Sequence, residues 1–163
     1  MHRQRQSYFG CGPKIFRPSC AWVMVSVLLA WIWPGVFRLS ASPIALALCF
    51  LGWGMVFIGI GGYIWSVRAM VRAVKQNRLE TSGPFSLVRH PLYAVWILFL
   101  FPGVALASGI WIMLGAAVVA WFFFEHWSKE EERFLEEIFG QEYEQYRLSV
   151  PALMPFLSGG GPP

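Results

Sequence analysis

Residues 92–127 read LYAVWILFLFPGVALASGIWIMLGAAVVAWFFFEHW. Two apolar arms, Leu92 to Ala107 and Ile110 to Trp127, are separated only by Ser108-Gly109, and no charge interrupts them before Glu125. Each arm approaches the roughly 20 residues that a helix needs to cross the hydrocarbon of a bilayer. Both fall slightly short, a deficit that local thinning or a tilted neighbour accommodates. The stretch therefore predicts a tight transmembrane helical hairpin, bent in its first arm at Pro102-Gly103, where neighbouring protein must satisfy the interrupted backbone. Such a hairpin brings its two open ends together. Residues just before Leu92 and just after Trp127 should be neighbours in space.

Working outward, Ala21 to Phe37 forms an earlier apolar run that frays or kinks near Pro34, and Pro43 to Val67 forms another. A cleaved signal segment is the rival reading of the first run, since basic residues precede it and Leu39-Ser40-Ala41 loosely imitates a cleavage site. Its length and its Trp22, Trp31 and Trp33 favour retention as a span. The second run carries Gly52, Gly54, Gly59, Gly61 and Gly62. Little side-chain bulk there lets another helix, or less readily a ligand, approach closely. Gly59-Ile60-Gly61 has no strand–turn–helix context and is not a dinucleotide fingerprint.

Composition agrees with four spans. The 163 residues are 56% hydrophobic and 13% charged, against about 45–50% and 25% in soluble domains. A soluble domain of this size has no interior large enough for that much apolar surface. Of the Lys and Arg residues, only Arg38 lies outside the N-terminus, the 68–91 loop and the tail after Trp127. The excess of basic residues predicts a cytosolic side for all three segments, and so for both termini, in a plasma or inner membrane. The same placement explains the net charge of +4 by anionic headgroups, without nucleic acid. Cys11, Cys20 and Cys49 have no paired spacing, and His2, His90 and His126 are too scattered to suggest a metal centre. The expected layout is one all-α integral membrane domain over 1–163. It has a basic cytosolic segment over 1–20, spans at 21–37, 43–67, 92–107 and 110–127, and a cytosolic helix and tail over 128–157. Phe134, Leu135, Ile138 and Phe139 recur at helical spacing, Gly140 stops that helix, and 159–163 forms a flexible tail.

The turns opposite the basic side, Arg38–Ser42 and Ser108–Gly109, are too small for a site. Chemistry must lie on the basic side or between helices. Two clusters flank the hairpin there: Gly83-Pro84-Phe85-Ser86-Leu87-Val88-Arg89-His90-Pro91-Leu92-Tyr93, and Glu130-Glu131-Glu132. Taken singly, each feature has a bland explanation. Arg89 and Tyr93 suit interfacial anchors, Pro91 suits a first helical position, and the glutamates suit a solvated face. Together they suit a polar, cationic ligand held beside a lipid one.

Arg89-His90-Pro91-Leu92-Tyr93, the apolar hairpin, the run Glu131-Glu132-Arg133-Phe134-Leu135-Glu136-Glu137-Ile138-Phe139-Gly140-Gln141-Glu142-Tyr143-Glu144-Gln145-Tyr146 and Val150-Pro151 together resemble the isoprenylcysteine carboxyl methyltransferase family. That family belongs to a wider group with the phospholipid N-methyltransferases. The resemblance spans about residues 78–155. It implies a membrane enzyme that uses S-adenosylmethionine and a lipophilic acceptor. It also implies that Leu79, Phe85, His90, Pro91, Leu92 and Tyr93 contact the cofactor while Glu131 holds a polar end. Arg89 becomes the candidate to orient an acceptor carboxylate, and Glu132 (with Glu125) the candidate base if the acceptor is an amine. Two positions depart from the family pattern. Trp127 stands where the family places a substrate-binding Arg four residues before the cofactor Glu, and Ala94 stands where Gly is common. Lys129 is a poor replacement, being rotated about 200° from that position. A lipid-amine methyltransferase, a nicotinamide-dependent reductase and a non-catalytic docking protein remain open alternatives, and oligomeric state is not legible.

Overall fold

The computed structural model describes residues 12–154. Arg3, Arg5, His2 and Cys11 of the N-terminal segment, and the 159–163 tail, lie outside the described residues. The protein is an all-α integral membrane protein, and no strand longer than an isolated bridge occurs among the described residues. Its helices are α1 (Gly12–Ile32), the single turn α2 (Pro34–Phe37), α3 (Pro43–Gln76), α4 (Pro91–Ser108), α5 (Gly115–Phe139) and α6 (Gln141–Ser149). Four of these, α1, α3, α4 and α5 with its leading turn, are long and apolar enough to cross a membrane. Met24, Trp31, Ile44, Phe50, Phe57 and Phe122 each leave more than two thirds of their surface uncovered. Apolar surface on that scale is stable against lipid and not against water.

Several boundaries differ from the pattern of apolar runs. α1 begins at Gly12, inside the basic segment, and carries Pro18 within it. α3 runs on to Gln76, so the Arg68–Lys75 region expected as loop is helical. Hydropathy marks where a helix leaves the bilayer, whereas the backbone ladder continues until something caps it. In α3 the cap is Asn77, in left-handed conformation at φ 51°, whose N–H returns to Ala73 and Val74 carbonyls. α5 likewise continues unbroken from the bilayer into the charged 128–139 stretch and stops at Gly140, φ 54°.

α3 packs along α4, and α1 along α5. The first contact is made by glycine. A Cβ on Gly52 would stand 2.3 Å from the Ala107 nitrogen and 2.7 Å from the Gly103 oxygen, and one on Gly59 2.6 Å from Leu100 Cδ2. Gly54 and Gly61 face open space. The glycine stripe thus serves helix packing at Gly52 and Gly59. In α4, Trp96–Leu100 is a π-helical turn in which the Phe101 N–H reaches the Trp96 carbonyl. Pro102 follows it, and the wider turn spares its ring a clash with the preceding carbonyls. On the opposite face the two small turns join: Leu39 N–H donates to the Gly109 carbonyl at 2.8 Å and the Trp111 indole to the Val36 carbonyl at 2.9 Å.

Gly52→Ala forces a methyl into backbone and should cost about 1–3 kcal/mol, lowering the melting temperature in detergent by several degrees. Gly61→Ala meets nothing and should leave that temperature unchanged or slightly raised.

Candidate functional site

The hairpin turn sets the start of α4 against the charged half of α5. Arg89 Nε and Nη2 both donate to Glu132 Oε1, at 3.1 and 2.7 Å. His90 Nε2 lies 3.2 Å from the same oxygen. One helical position away, the Tyr93 hydroxyl donates to Glu131 Oε2 at 3.1 Å. Arg89, His90, Tyr93, Glu131 and Glu132 are therefore one cluster, with the His90 and Tyr93 rings packed edge-to-face or tilted against Phe124 of α5. His90 itself is buried.

The chain after α6 completes this cluster. Arg89 Nη1 donates to the carbonyls of Arg147 and Val150, at 3.0 and 2.6 Å. The backbone N–H groups of Arg89 and His90 donate to Pro151 and Ala152, at 2.8 and 3.0 Å. Val150–Ala152 is thus a strap across the segment that leads into α4, and Leu153 is buried beneath it. All three Arg89 guanidinium nitrogens are engaged, and Glu132 Oε1 meets both Arg89 and His90. Neither stands free in the manner expected of an acceptor-orienting cation or a general base.

Phe85 sits in a 3₁₀ turn, Gly83–Ser86, entered through Gly83 at φ 59°. Its carbonyl accepts the Tyr146 hydroxyl at 2.6 Å. Leu79 packs with Tyr143 and Tyr146 in a buried cluster. Beside it, burial works to raise the Glu80 pKa, but hydrogen bonds from the Ser82 hydroxyl and backbone, with the Arg78 and Arg72 charges, hold it below the ordinary carboxylate value. Burial pushes the Tyr143 and Tyr146 phenols well above theirs.

Two cavities share a wall made of Met70, Phe85, Arg89, His90 and Glu131. The first, about 100 Å³, is closed by Leu79, Glu80, Leu135, Phe139, Tyr143 and Tyr146. The second, about 280 Å³, is bounded by Pro91, Leu92, Tyr93 and Trp96 of α4, Tyr63 and Val67 of α3, and Gly12 and Phe16 of α1. Of the residues singled out in the sequence, Phe85, Arg89, His90 and Glu131 face both cavities. Leu79 faces the first alone, and Pro91, Leu92 and Tyr93 the second. Glu132 lines neither; it stands behind the wall. Sequence reasoning counted Tyr143, Tyr146 and Val150-Pro151 in the family pattern but gave them no part in the site, and it missed the aromatic contribution of α1. Tyr143 and Tyr146, three apart in a polar nine-residue helix, were the available signal.

The sequence model described as the isoprenylcysteine carboxyl methyltransferase family matches residues 40–137. The chain belongs to that family. A protein-S-isoprenylcysteine O-methyltransferase of Xenopus laevis is 35% identical over 83 residues, 51% of this chain and 29% of the relative. That of Schizosaccharomyces pombe is 33% identical over 113 residues, covering 62% and 48%. The cobalt-zinc-cadmium resistance protein CzcN of Cupriavidus metallidurans is 30% identical over 145 residues, 88% of this chain and 63% of the relative. The chain thus spans less than two thirds of the length of these relatives. No solved structure matches it significantly.

Glu132→Gln leaves the enclosed Arg89 charge uncompensated and should lower stability by on the order of 2–3 kcal/mol, read as a fall in detergent melting temperature. The Glu80 pKa is depressed on folding, so its contribution is present above the ordinary carboxylate value and lost as pH falls through the folded one. The melting-temperature gap between wild type and Glu80→Gln should accordingly be full at pH 7 and close as pH drops below about 4.3.

Proposed function

We propose that this protein is an S-adenosylmethionine-dependent methyltransferase whose acceptor is a lipophilic molecule, methylated at the cytosolic membrane face. The observation that carries the reading is the shared wall. Two mainly apolar cavities, one also bordered by the polar groups of Arg78, Glu80, Tyr143 and Tyr146 and the other by rings from three membrane helices, meet at His90 and Glu131, as a reaction between a donor with a polar end and a lipid-soluble acceptor requires. Family membership and the O-methyltransferase names of its relatives support it. The clustering of Arg68, Arg72, Lys75, Arg78, Arg89, Lys129 and Arg133 at one end of the bundle supports the cytosolic assignment of that end.

The residues present fit the donor. Glu131 accepts hydrogen bonds, so it suits ribose hydroxyls or an amino group. Phe85 and Tyr93 offer aromatic faces to a sulfonium cation, and Leu79 with Leu135 and Phe139 forms an apolar wall for the nucleoside. Bound there, S-adenosylmethionine supplies an electrophilic methyl group. The protein's part is then to align acceptor and methyl, exclude water and match charge. Arg89 and Glu132 act as positioning residues. By locking each other and the strap, they fix His90 and Glu131 at the junction. The acceptor enters from lipid past Phe16, Tyr63 and Trp96, since these rings come from three different membrane helices. Trp127 occupies the family's Arg position, and Lys14 of α1 stands over its ring at 3.7 Å while pairing with Glu130 at 2.9 Å. Lys14 is thus committed to Trp127 and Glu130, and this position does not discriminate a carboxylate acceptor from an amine.

Saturable equilibrium binding of labelled S-adenosylmethionine to the detergent-purified protein is the expected result. Glu131→Ala and His90→Ala should each weaken it by at least about tenfold, with Glu144→Ala as the unaffected control. Methyl label should pass into the organic phase of a lipid extract. Absence of saturable binding would overturn the assignment.

A further inference from the structure

Tyr143 is 1% exposed, and its hydroxyl has no hydrogen-bond partner. A buried phenol with nothing to bond costs about 1–3 kcal/mol, and native structures leave few such groups without a reason. Its neighbours on the same cavity wall are all engaged. Arg78 bonds Gln76 and Glu80, Glu80 bonds Ser82, Glu131 bonds Tyr93, and Tyr146 bonds the Phe85 carbonyl. Arg89 and His90 are held by Glu132. Tyr143 alone among these side chains arrives at the wall with its polar group uncommitted.

Helical geometry explains how it is kept there. Tyr143 and Tyr146 are three apart on α6 and share a face. The bond from Tyr146 to Phe85 turns that face inward, and the pairing of the following strap with Arg89 and His90 anchors it. Burial, and the negative charge of Glu132, raise the Tyr143 pKa, so the group is a protonated donor at any physiological pH.

We propose that the Tyr143 hydroxyl is a ligand-binding group, donating to an acceptor atom in the nucleoside part of the methyl donor. This rests on the function proposed above. The reacting methyl must lie at the wall common to both cavities, where His90 and Glu131 stand, because only there can it meet an acceptor from the apolar side. The non-reacting end of the donor is then left for the cavity bordered by Leu79, Leu135 and Phe139, whose apolar lining suits a purine. Tyr143 is the polar group of that enclosure still able to read it.

The test uses Tyr143→Phe in the full-length, detergent-purified protein, with S-adenosylhomocysteine and 5′-methylthioadenosine as probes. The two share the nucleoside and differ in the amino-acid end. Both affinities should fall roughly three- to tenfold, while the melting temperature without ligand stays level or rises, since no existing bond is lost. Tyr146→Phe, which breaks the bond to Phe85, should lower that temperature. Unchanged affinities, a loss confined to S-adenosylhomocysteine, or a Tyr143→Phe protein that melts lower before ligand is added would each overturn the inference. If wild type binds neither probe, the function reading fails first and takes this one with it. A wild type that binds both, with an indifferent Tyr143→Phe, removes the Tyr143 role alone.

Discussion

The Arg89 guanidinium is the joint on which the basic end of this bundle turns. It contacts Glu132 of α5 through two nitrogens and, through the third, the carbonyls of Arg147 and Val150 beyond α6. Its side chain and that of Glu132 are mostly covered, at 13% and 17% exposure. A guanidinium in such surroundings is tolerable only when its donors are all answered, and a planar fork answers them in fixed directions. The result is geometric as much as energetic. Three segments far apart in sequence are held at angles that a flexible ammonium would not enforce. His90, next in the chain, inherits its placement from this joint.

That joint closes one end of a molecule whose other end is closed by ordinary backbone pairing. The small turns after α2 and α4 hydrogen-bond to one another, and between the two ends α3 and α4 approach closely through Gly52 and Gly59. Water supplies no drive to associate inside a bilayer, so close contact between small residues has to provide it. Large apolar side chains are correspondingly turned outward, toward lipid. The buried interior is mostly small and aliphatic side chains with a few rings, and buried Glu80 and His90 lie at the basic end.

How much of this was readable beforehand divides along physical lines. The hairpin was legible because a two-residue interruption of a long apolar stretch admits one topology. The meeting of Arg89-His90 with Glu131-Glu132 followed from it. Where α1 and α3 would extend past their apolar cores was not legible, because hydropathy reports the solvent and says little about where a helix is capped. The mutual engagement of Arg89 and Glu132 was hidden for a different reason. Both were read as chemically available because sequence gives proximity without partners, and the partners of Arg89 lie in a strap sixty residues away. Val150-Pro151-Ala152 offers its carbonyls, and no side-chain pattern announces a backbone acceptor. Tyr143 was obscured by its surroundings, a short, highly polar helix that reads as solvated on every face.

The two walls that sequence reasoning missed lie outside the stretch matched by the family, residues 40–137. α1 supplies Phe16, whose ring meets Trp96 edge-on at 4.1 Å and helps bound the apolar cavity. α6 supplies the tyrosines of the other cavity. The matched core contributes the junction between them. On the proposed function, transfer of a methyl group depends on the junction, while the choice of acceptor depends on how far the cavity beyond Trp96 extends and what fills its end. Phe16 and Tyr63 line that cavity from α1 and α3. A change in α1 can therefore alter which lipophilic molecule fits without touching His90, Glu131 or the joint behind them. On that proposal, acceptor specificity would lie with α1 packed against a π-helical turn, physically separable from the groups that would align the methyl.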